Sequence, residues 1–202
     1  RFGLMLGLDQ WVIERVFDLH GRHASPRRFF IHLCGATLDD PHFAAFVTDR
    51  AAHHGIDPKG VVFEITEQVA ISRLMRARAT LETLLNQGFQ FALDDFGTGV
   101  ASFGYLDELP VQFVKLSERY IRYLDSDPAS GIIVRALVDL AHLHGLSCIG
   151  EGVENAAVLQ SVQNLGIDFV QGYHLHYPEP LEEVEDPTSP SSTMPRPPEA
   201  AR

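Results

Sequence analysis

The residues best suited to chemistry in this chain are ionisable or polar, and they recur at one kind of position. His32, Glu64, Asp94 with Asp95, Lys115, Glu151 and Gln171 each stand at or beside the end of a short apolar run. The densest case is Phe91-Ala92-Leu93-Asp94-Asp95-Phe96-Gly97-Thr98-Gly99. Adjacent carboxylates repel unless a cation lies between them, and glycines just beyond let the backbone turn sharply. Carboxylate oxygens are hard ligands, so the pattern points to Mg²⁺ or Mn²⁺ rather than zinc. Lys115 adds a point charge suited to a phosphate or a polarised water. Each residue alone has a plainer reading: Asp95 caps a turn, His32 is a core histidine, Lys115 snorkels, Glu151 favours a helix N-terminus, Gln171 bonds a loop. Their recurrence at successive run ends favours one shared site.

Such a site needs elements that bring distant positions together. Apolar runs at 29–33, 61–65, 91–95, 112–116, 147–151 and 168–171 read as strands. Between them lie helical patterns. Leu8, Trp11, Val12, Val16 and Leu19 share one face of the first. Asp40-Pro41 reads as an N-cap with proline at the first helical position, ahead of Phe43, Phe46 and Val47. Leu74, Leu81, Leu84 and Leu85 mark the next helix, then Ile132, Ile133, Ala136, Leu137 and Leu140, then Val158, Leu159, Val162 and Leu165. Gly55, Gly88, Gly145 and Gly166 follow these helices and precede an apolar residue, which is how a helix reverses into a strand. Strand–helix alternation every roughly 30 residues predicts a parallel α/β architecture. In a β/α barrel the C-terminal strand ends form the rim where substrates bind.

Length and composition narrow the partners. A chain of 202 residues is expected to be one domain, over residues 1–180. Residues 181–202 are acidic and rich in Pro and Ser, and read as a disordered tail. The net charge of −11 argues against a nucleic-acid polymer, while leaving room for a small phosphate ligand. Two cysteines, Cys34 and Cys148, suggest neither a disulfide framework nor a zinc cluster, which fits a reducing cytoplasm. No apolar run has the length of a membrane span. His53 with His54 and His142 with His144 are off the spacing that shares a helical face and read as surface or packing residues; Arg73, Arg76 and Arg78 read as a solvated face.

Phe63-Glu64-Ile65-Thr66-Glu67, Leu93-Asp94-Asp95-Phe96-Gly97-Thr98-Gly99, Val114-Lys115-Leu116, Glu151-Gly152-Val153-Glu154 and Gln171-Gly172-Tyr173 together resemble the EAL-domain family of bacterial cyclic di-GMP phosphodiesterases. The resemblance implies a modified TIM barrel, here without its first strands and without the Glu-Ala-Leu signature, both expected upstream of Arg1. It implies two divalent metals held by Glu64, Asp94, Asp95 and Glu151, with His32 standing where the family has Asn. Lys115 would steady the attacking water or the developing charge. Glu151 or a neighbouring acid would accept the proton, and Glu67 would hold the loop after its own strand. Glu154 and Gln171 would support the metals or substrate. Ser117 stands where the family usually has Asp, and would cap the next helix. The product would be linear pGpG. The same resemblance allows a non-catalytic module that binds cyclic di-GMP or a partner protein. It also implies other signalling domains upstream, and a homodimer with Tyr105 and Leu106 as candidate contacts. An unrelated metal-dependent barrel hydrolase is the remaining alternative.

Overall fold

Runs of Phe, Val and Ile too short for helices form six strands: β1 Phe29–His32, β2 Val61–Thr66, β3 Gln90–Phe96, β4 Phe113–Leu116, β5 Ser147–Glu151 and β6 Phe169–Gln171. The computed structural model describes residues 2–22, 28–99 and 103–180, so the tail expected over 181–202 lies outside the described residues. All six strands pair in parallel, in the order β1-β2-β3-β4-β5-β6. The sheet curls into a half-barrel. Sequential parallel order requires a crossover after each strand, and those after β1, β2, β4 and β5 carry α-helices.

The helices are α1 Phe2–Arg22, α2 Gly35–Leu38, α3 Phe43–His54, α4 Glu67–Asn86, α5 Glu118–Ile121, α6 Pro128–Leu143 and α7 Ala156–Asn164. Gly55 takes a left-handed φ of 66° at the end of α3, and Gly88, Gly145 and Gly166 repeat this reversal with φ of 102°, 72° and 76°. Side chains alternate between the two faces of each strand. The outward set, with Phe63, Phe91, Leu93 and Val114, joins Phe17, Phe43, Val134 and Val158 of the helices in the main core. The inward set forms a smaller cluster of Val62, Ala92, Phe113 and Ile149. Phe30 and Phe169 flank that cluster by edge-on contacts with Phe113. Two residues further along each strand the inward positions are His32, Glu64, Asp94, Lys115, Glu151 and Gln171. An apolar floor therefore carries the whole polar set.

Several helix faces differ from those the periodicity suggests. On α1, Leu8 and Trp11 are exposed, and the buried face carries Asp9, Ile13, Val16, Phe17 and Leu19. A carboxylate sets the rotation. Asp9 Oδ2 accepts from Cys34 N at 2.8 Å and Thr37 Oγ1 at 2.5 Å, pinning the start of α2 just beyond β1. On α6, Ile132 is solvent-facing and Ile133 largely so, while Val134, Leu137, Val138 and Ala141 are buried. Asp40 does not cap α3: His42 holds that position without a side-chain bond, and Asp40 Oδ1 accepts from His42 N within the preceding turn. Tyr105 and Leu106 are both buried in the chain's own core, so their side chains are not available as dimer contacts. Arg78 pairs with Glu82 at 2.7 Å on an exposed face. The side chains of Arg73, Leu74 and Arg76 lie outside the described residues.

The strand starts are tied down by a polar contact the sequence reading passed over. Asp168 Oδ2 accepts from Cys148 N at 2.7 Å and from His142 Nε2 at 2.9 Å, joining α6, β5 and the entry to β6. Burial raises the Asp168 carboxyl, but the bonds from Cys148 and His142 outweigh it and hold the group below the ordinary carboxylate value. Asp168→Asn is expected to lower unfolding free energy by about 1 kcal/mol at neutral pH, the half-exposed setting discounting a charged hydrogen bond. The advantage of the parent is full above the unfolded value of 3.8 and is lost as pH falls through the lower folded value. Urea melts of both proteins across that range provide the check.

Candidate functional site

Parallel strands in register bring the inward polar residues to the same end of the sheet. His32 is the register partner of Glu64, and Glu151 that of Gln171. Lys115 lies at the centre. Its Nζ is 2.7 Å from Glu64 Oε1, 2.8 Å from Glu151 Oε1 and 3.6 Å from Asp94 Oδ1. On the other side, His32 Nδ1 is 3.2 Å from Glu64 Oε2 and 3.5 Å from Asp94 Oδ2. A carboxylate only accepts, so Nδ1 donates to Glu64 here. Glu64, Asp94 and Lys115 are buried, whereas the His32 side chain is 55% exposed and faces the mouth.

Burial and pairing set the charges. Burial pushes Glu64 up, but hydrogen bonds and charge from His32 and Lys115 outweigh it and hold the carboxyl below its ordinary value. Glu151 is held above its ordinary value, chiefly by burial, with Asp94 and Glu64 adding repulsion and Lys115 offsetting part. His32 is raised by its hydrogen bond to Glu64 against the effect of burial. Burial works against the Lys115 ammonium, yet bonds to Glu151 and Glu64 raise it, so it is charged at any working pH. The two carboxyls are thus shifted in opposite directions, Glu64 down and Glu151 up, a split of the kind found at acid–base sites.

The remaining expected residues divide in two. Glu67, 2% exposed at the start of α4, holds the turn beyond β3. Its Oε2 accepts from Gly97 N at 3.1 Å and Gly99 N at 3.2 Å, and its Oε1 from the Tyr105 hydroxyl at 2.5 Å. Asp95 does not join the His32–Glu64–Asp94 cluster. It is exposed, with a left-handed φ of 55°, and lines an adjoining cavity of about 350 Å³ shared with Glu151, Gln171, Arg122, Glu154 and Tyr173. Glu154 is paired with Arg122 at 2.9 Å, and Arg122 also bonds Glu118 at 3.2 Å. Ser117 is buried at the N-cap of α5 but makes no side-chain cap bond; its carbonyl accepts from Tyr120 N and Ile121 N instead. A backbone carbonyl served the turn there, so the expected hydroxyl cap is absent.

Arg122, Tyr173, Tyr105 and Asp9 take parts that sequence reading did not assign. Glu118 and Arg122 at i, i+4 predict their own pairing, but nothing local predicts Glu154. The rim also depends on a close approach. A Cβ on Gly172 would lie 2.2 Å from Val153 O and 2.4 Å from Val153 N, where the chain after β5 crosses the end of β6. That crossing is held by Val153 N donating to Gln171 O and His174 N to Val153 O. Gly172→Ala is therefore expected to cost about 3 kcal/mol in a denaturant melt, because backbone rather than a flexible side chain must move.

The donor set, two carboxylates and an imidazole, suits a divalent cation. His32, Glu64 and Asp94 place one ligand atom each within 4.8 Å of one another. Asp94 Oδ1 is buried and has no hydrogen-bond partner. Lys115 Nζ at 3.6 Å is beyond hydrogen-bond distance, and a buried carboxylate oxygen without a hydrogen bond carries a desolvation cost that a cation relieves.

The chain matches the EAL domain over residues 1–178. It is 35% identical over 184 residues to the cyclic di-GMP phosphodiesterase PdeB of Shewanella oneidensis, covering 90% of this chain and 22% of that protein. It is 34% identical over 183 residues to the cyclic di-GMP phosphodiesterase PdeF of Escherichia coli, covering 89% of this chain and 24% of that one. The chain thus spans under a quarter of the length of these relatives. Among solved structures, the PaMucR phosphodiesterase in complex with cyclic di-GMP superimposes with a TM-score of 0.84 at 28% identity, over 91% of this chain and 76% of that one. The EAL domain of Mycobacterium smegmatis DcpA does so with a TM-score of 0.80 at 31% identity, over 86% and 80%. With a domain match over nearly all its described residues and these neighbours, the chain belongs to the EAL domain family.

Proposed function

We propose that this domain hydrolyses one phosphodiester bond of cyclic di-GMP, with Mg²⁺ or Mn²⁺ as cofactor, to give linear pGpG. The observation that carries the reading is the convergence of Glu64, Asp94, Glu151, His32 and Lys115 within direct contact on one rim. The relatives named as cyclic di-GMP phosphodiesterases support the substrate class. Glu64, Asp94 and His32 would hold one cation, with Asp95 and Glu151 towards a second. Bound there, divalent cations supply Lewis acidity at the phosphate and a lowered pKa for the attacking water.

The chain's own residues do the rest. Glu151, its Oε1 held by Lys115, takes the water proton at Oε2. Lys115 stabilises the negative charge that grows on the phosphoryl oxygens. Glu67 keeps the Gly97–Gly99 backbone in place and so fixes the direction of Asp94 at the end of β3. Gln171, beside Glu151 at the cavity, orients the ligand, and Arg122 offers it a cation already balanced by Glu118 and Glu154.

Incubation of the purified chain with cyclic di-GMP and Mg²⁺ or Mn²⁺, followed by chromatographic detection of pGpG, tests the proposal. A second reading is favoured by one feature: Lys115 already bonds Glu64 and Glu151 at under 3 Å, in competition with a cation. On that reading the domain binds cyclic di-GMP and signals without turnover. The FimX EAL domain of Pseudomonas aeruginosa, solved bound to cyclic di-GMP, is a structural neighbour of this chain with a TM-score of 0.82 at 29% identity. Saturable binding in calorimetry with no pGpG formed would select this second reading.

A further inference from the structure

We infer that His32 tilts the rim site toward first-row transition cations, so that Mn²⁺, the hardest of them, is still held above Mg²⁺ or Ca²⁺. This rests on the reading of the rim as a divalent-metal site and adds the identity of the ion. The argument starts from the ligand atoms. Glu64 and Asp94 contribute oxygens, but the third member of the cluster is an imidazole nitrogen. Nδ1 sits 3.2 Å from Glu64 Oε2 and 3.5 Å from Asp94 Oδ2, so a cation held by these two carboxylates would have the nitrogen within reach. Mg²⁺ and Ca²⁺ prefer all-oxygen coordination, whereas imidazole nitrogen favours first-row transition ions.

The surroundings keep the imidazole in that role. β1 pairs in register with β2, which puts His32 directly beside Glu64 and fixes the separation of the two side chains. The ring is not wedged into the core, since its side chain is 55% exposed, so it tilts onto an ion without repacking. Glu64 and Asp94 are both buried beneath it. Lys115, on the far side of Glu64, takes the other oxygen of that carboxylate and leaves Oε2 facing the histidine. Asp94 Oδ1, with Lys115 Nζ at 3.6 Å and no hydrogen bond, is left under-satisfied by the chain's own donors.

The test uses the full chain, stripped of metal by a chelator, with the metal salts alone as probes. Calorimetric titration with Mn²⁺, Mg²⁺ and Ca²⁺ is compared for the parent, His32→Asn, His32→Gln and Asp94→Asn. The expected result is a fall of about 10-fold or more in Mn²⁺ affinity in both histidine variants, with Mg²⁺ affinity altered much less, so that the Mn²⁺ preference collapses. Electron spin echo modulation of the Mn²⁺-loaded parent is expected to show coupling to an imidazole nitrogen, a readout that needs no variant to fold. If Asp94→Asn abolishes Mn²⁺ binding while the histidine variants keep both affinities, and no nitrogen coupling appears, the selectivity inference is overturned and the metal site stands. If the parent binds no divalent ion, or binds it equally well with Asn at 94, the metal reading itself fails and takes the inference with it.

Discussion

Asp94→Asn is expected to lower the kcat for the proposed pGpG formation by at least about 10³-fold, while the protein stays folded. The size of the effect follows from where the oxygen sits. Asp94 is buried at the end of β3, with Oδ2 towards His32 and Oδ1 without a hydrogen-bond partner. The amide has nearly the same shape but carries no charge, so it cannot neutralise a divalent cation in a site of low dielectric constant. Lys115 Nζ lies 3.6 Å away and keeps its two shorter contacts to Glu64 and Glu151, so the variant retains its principal ion pairs. Thermal melting without metal should shift little, and the protection that Mn²⁺ gives the parent should vanish. Full turnover by Asp94→Asn would remove the central carboxylate from the mechanism.

Lys115→Met is expected to lose about 3–5 kcal/mol of unfolding free energy in metal-free buffer. The lysine side chain is only 7% exposed and Glu64 only 8%, so solvent does little to screen the charges left behind. Without the ammonium, Glu64, Asp94 and Glu151 face one another across a small space. The folded value of Glu64 is below the unfolded 4.5, so the stability it contributes is present above that value and lost as pH falls through the folded one. The gap between parent and variant should therefore be widest at neutral pH and narrow in acid. A divalent cation should restore much of the loss, since it replaces the missing positive charge. Urea melts with chelator and with Mn²⁺, each across pH, give the comparison. A variant as stable as the parent in chelator at neutral pH would show that Lys115 does not hold these acids together.

Much of this site was legible in the chain because parallel strands impose simple rules. Each strand presents every second residue inward, so Val62 and Glu64, Ala92 and Asp94, Phe113 and Lys115, and Ile149 and Glu151 repeat one pattern of apolar then polar. The glycines after the helices announced β2, β3, β5 and β6, and all four adopt the left-handed conformation that reversal needs. Less legible was anything decided by rotation about a helix axis. Leu8 and Trp11 fit the apolar face of α1 by spacing, yet the helix turns so that Asp9 reaches Cys34 N and Thr37 Oγ1. Ile132 likewise fits the pattern of α6 and faces solvent. A buried hydrogen bond outranks one apolar side chain when the alternative is an unsatisfied carboxylate.

The sequence by itself determined the order of strands and helices, the inward register of six polar residues, and the chemistry of hard oxygen ligands around one lysine. Those are local properties, set by alternation and residue type. Tertiary structure alone decided which carboxylates share which cation. Lys115 draws Glu64 and Glu151 together, His32 closes on Glu64 and Asp94, and Asp95 turns away through its left-handed backbone to face the neighbouring cavity. It also made Glu67 a fastening for Gly97, Gly99 and Tyr105, and tied Glu154 to Arg122. Such pairings depend on distances of a few ångströms between residues far apart in the chain, which the curl of the sheet sets and spacing along the sequence does not.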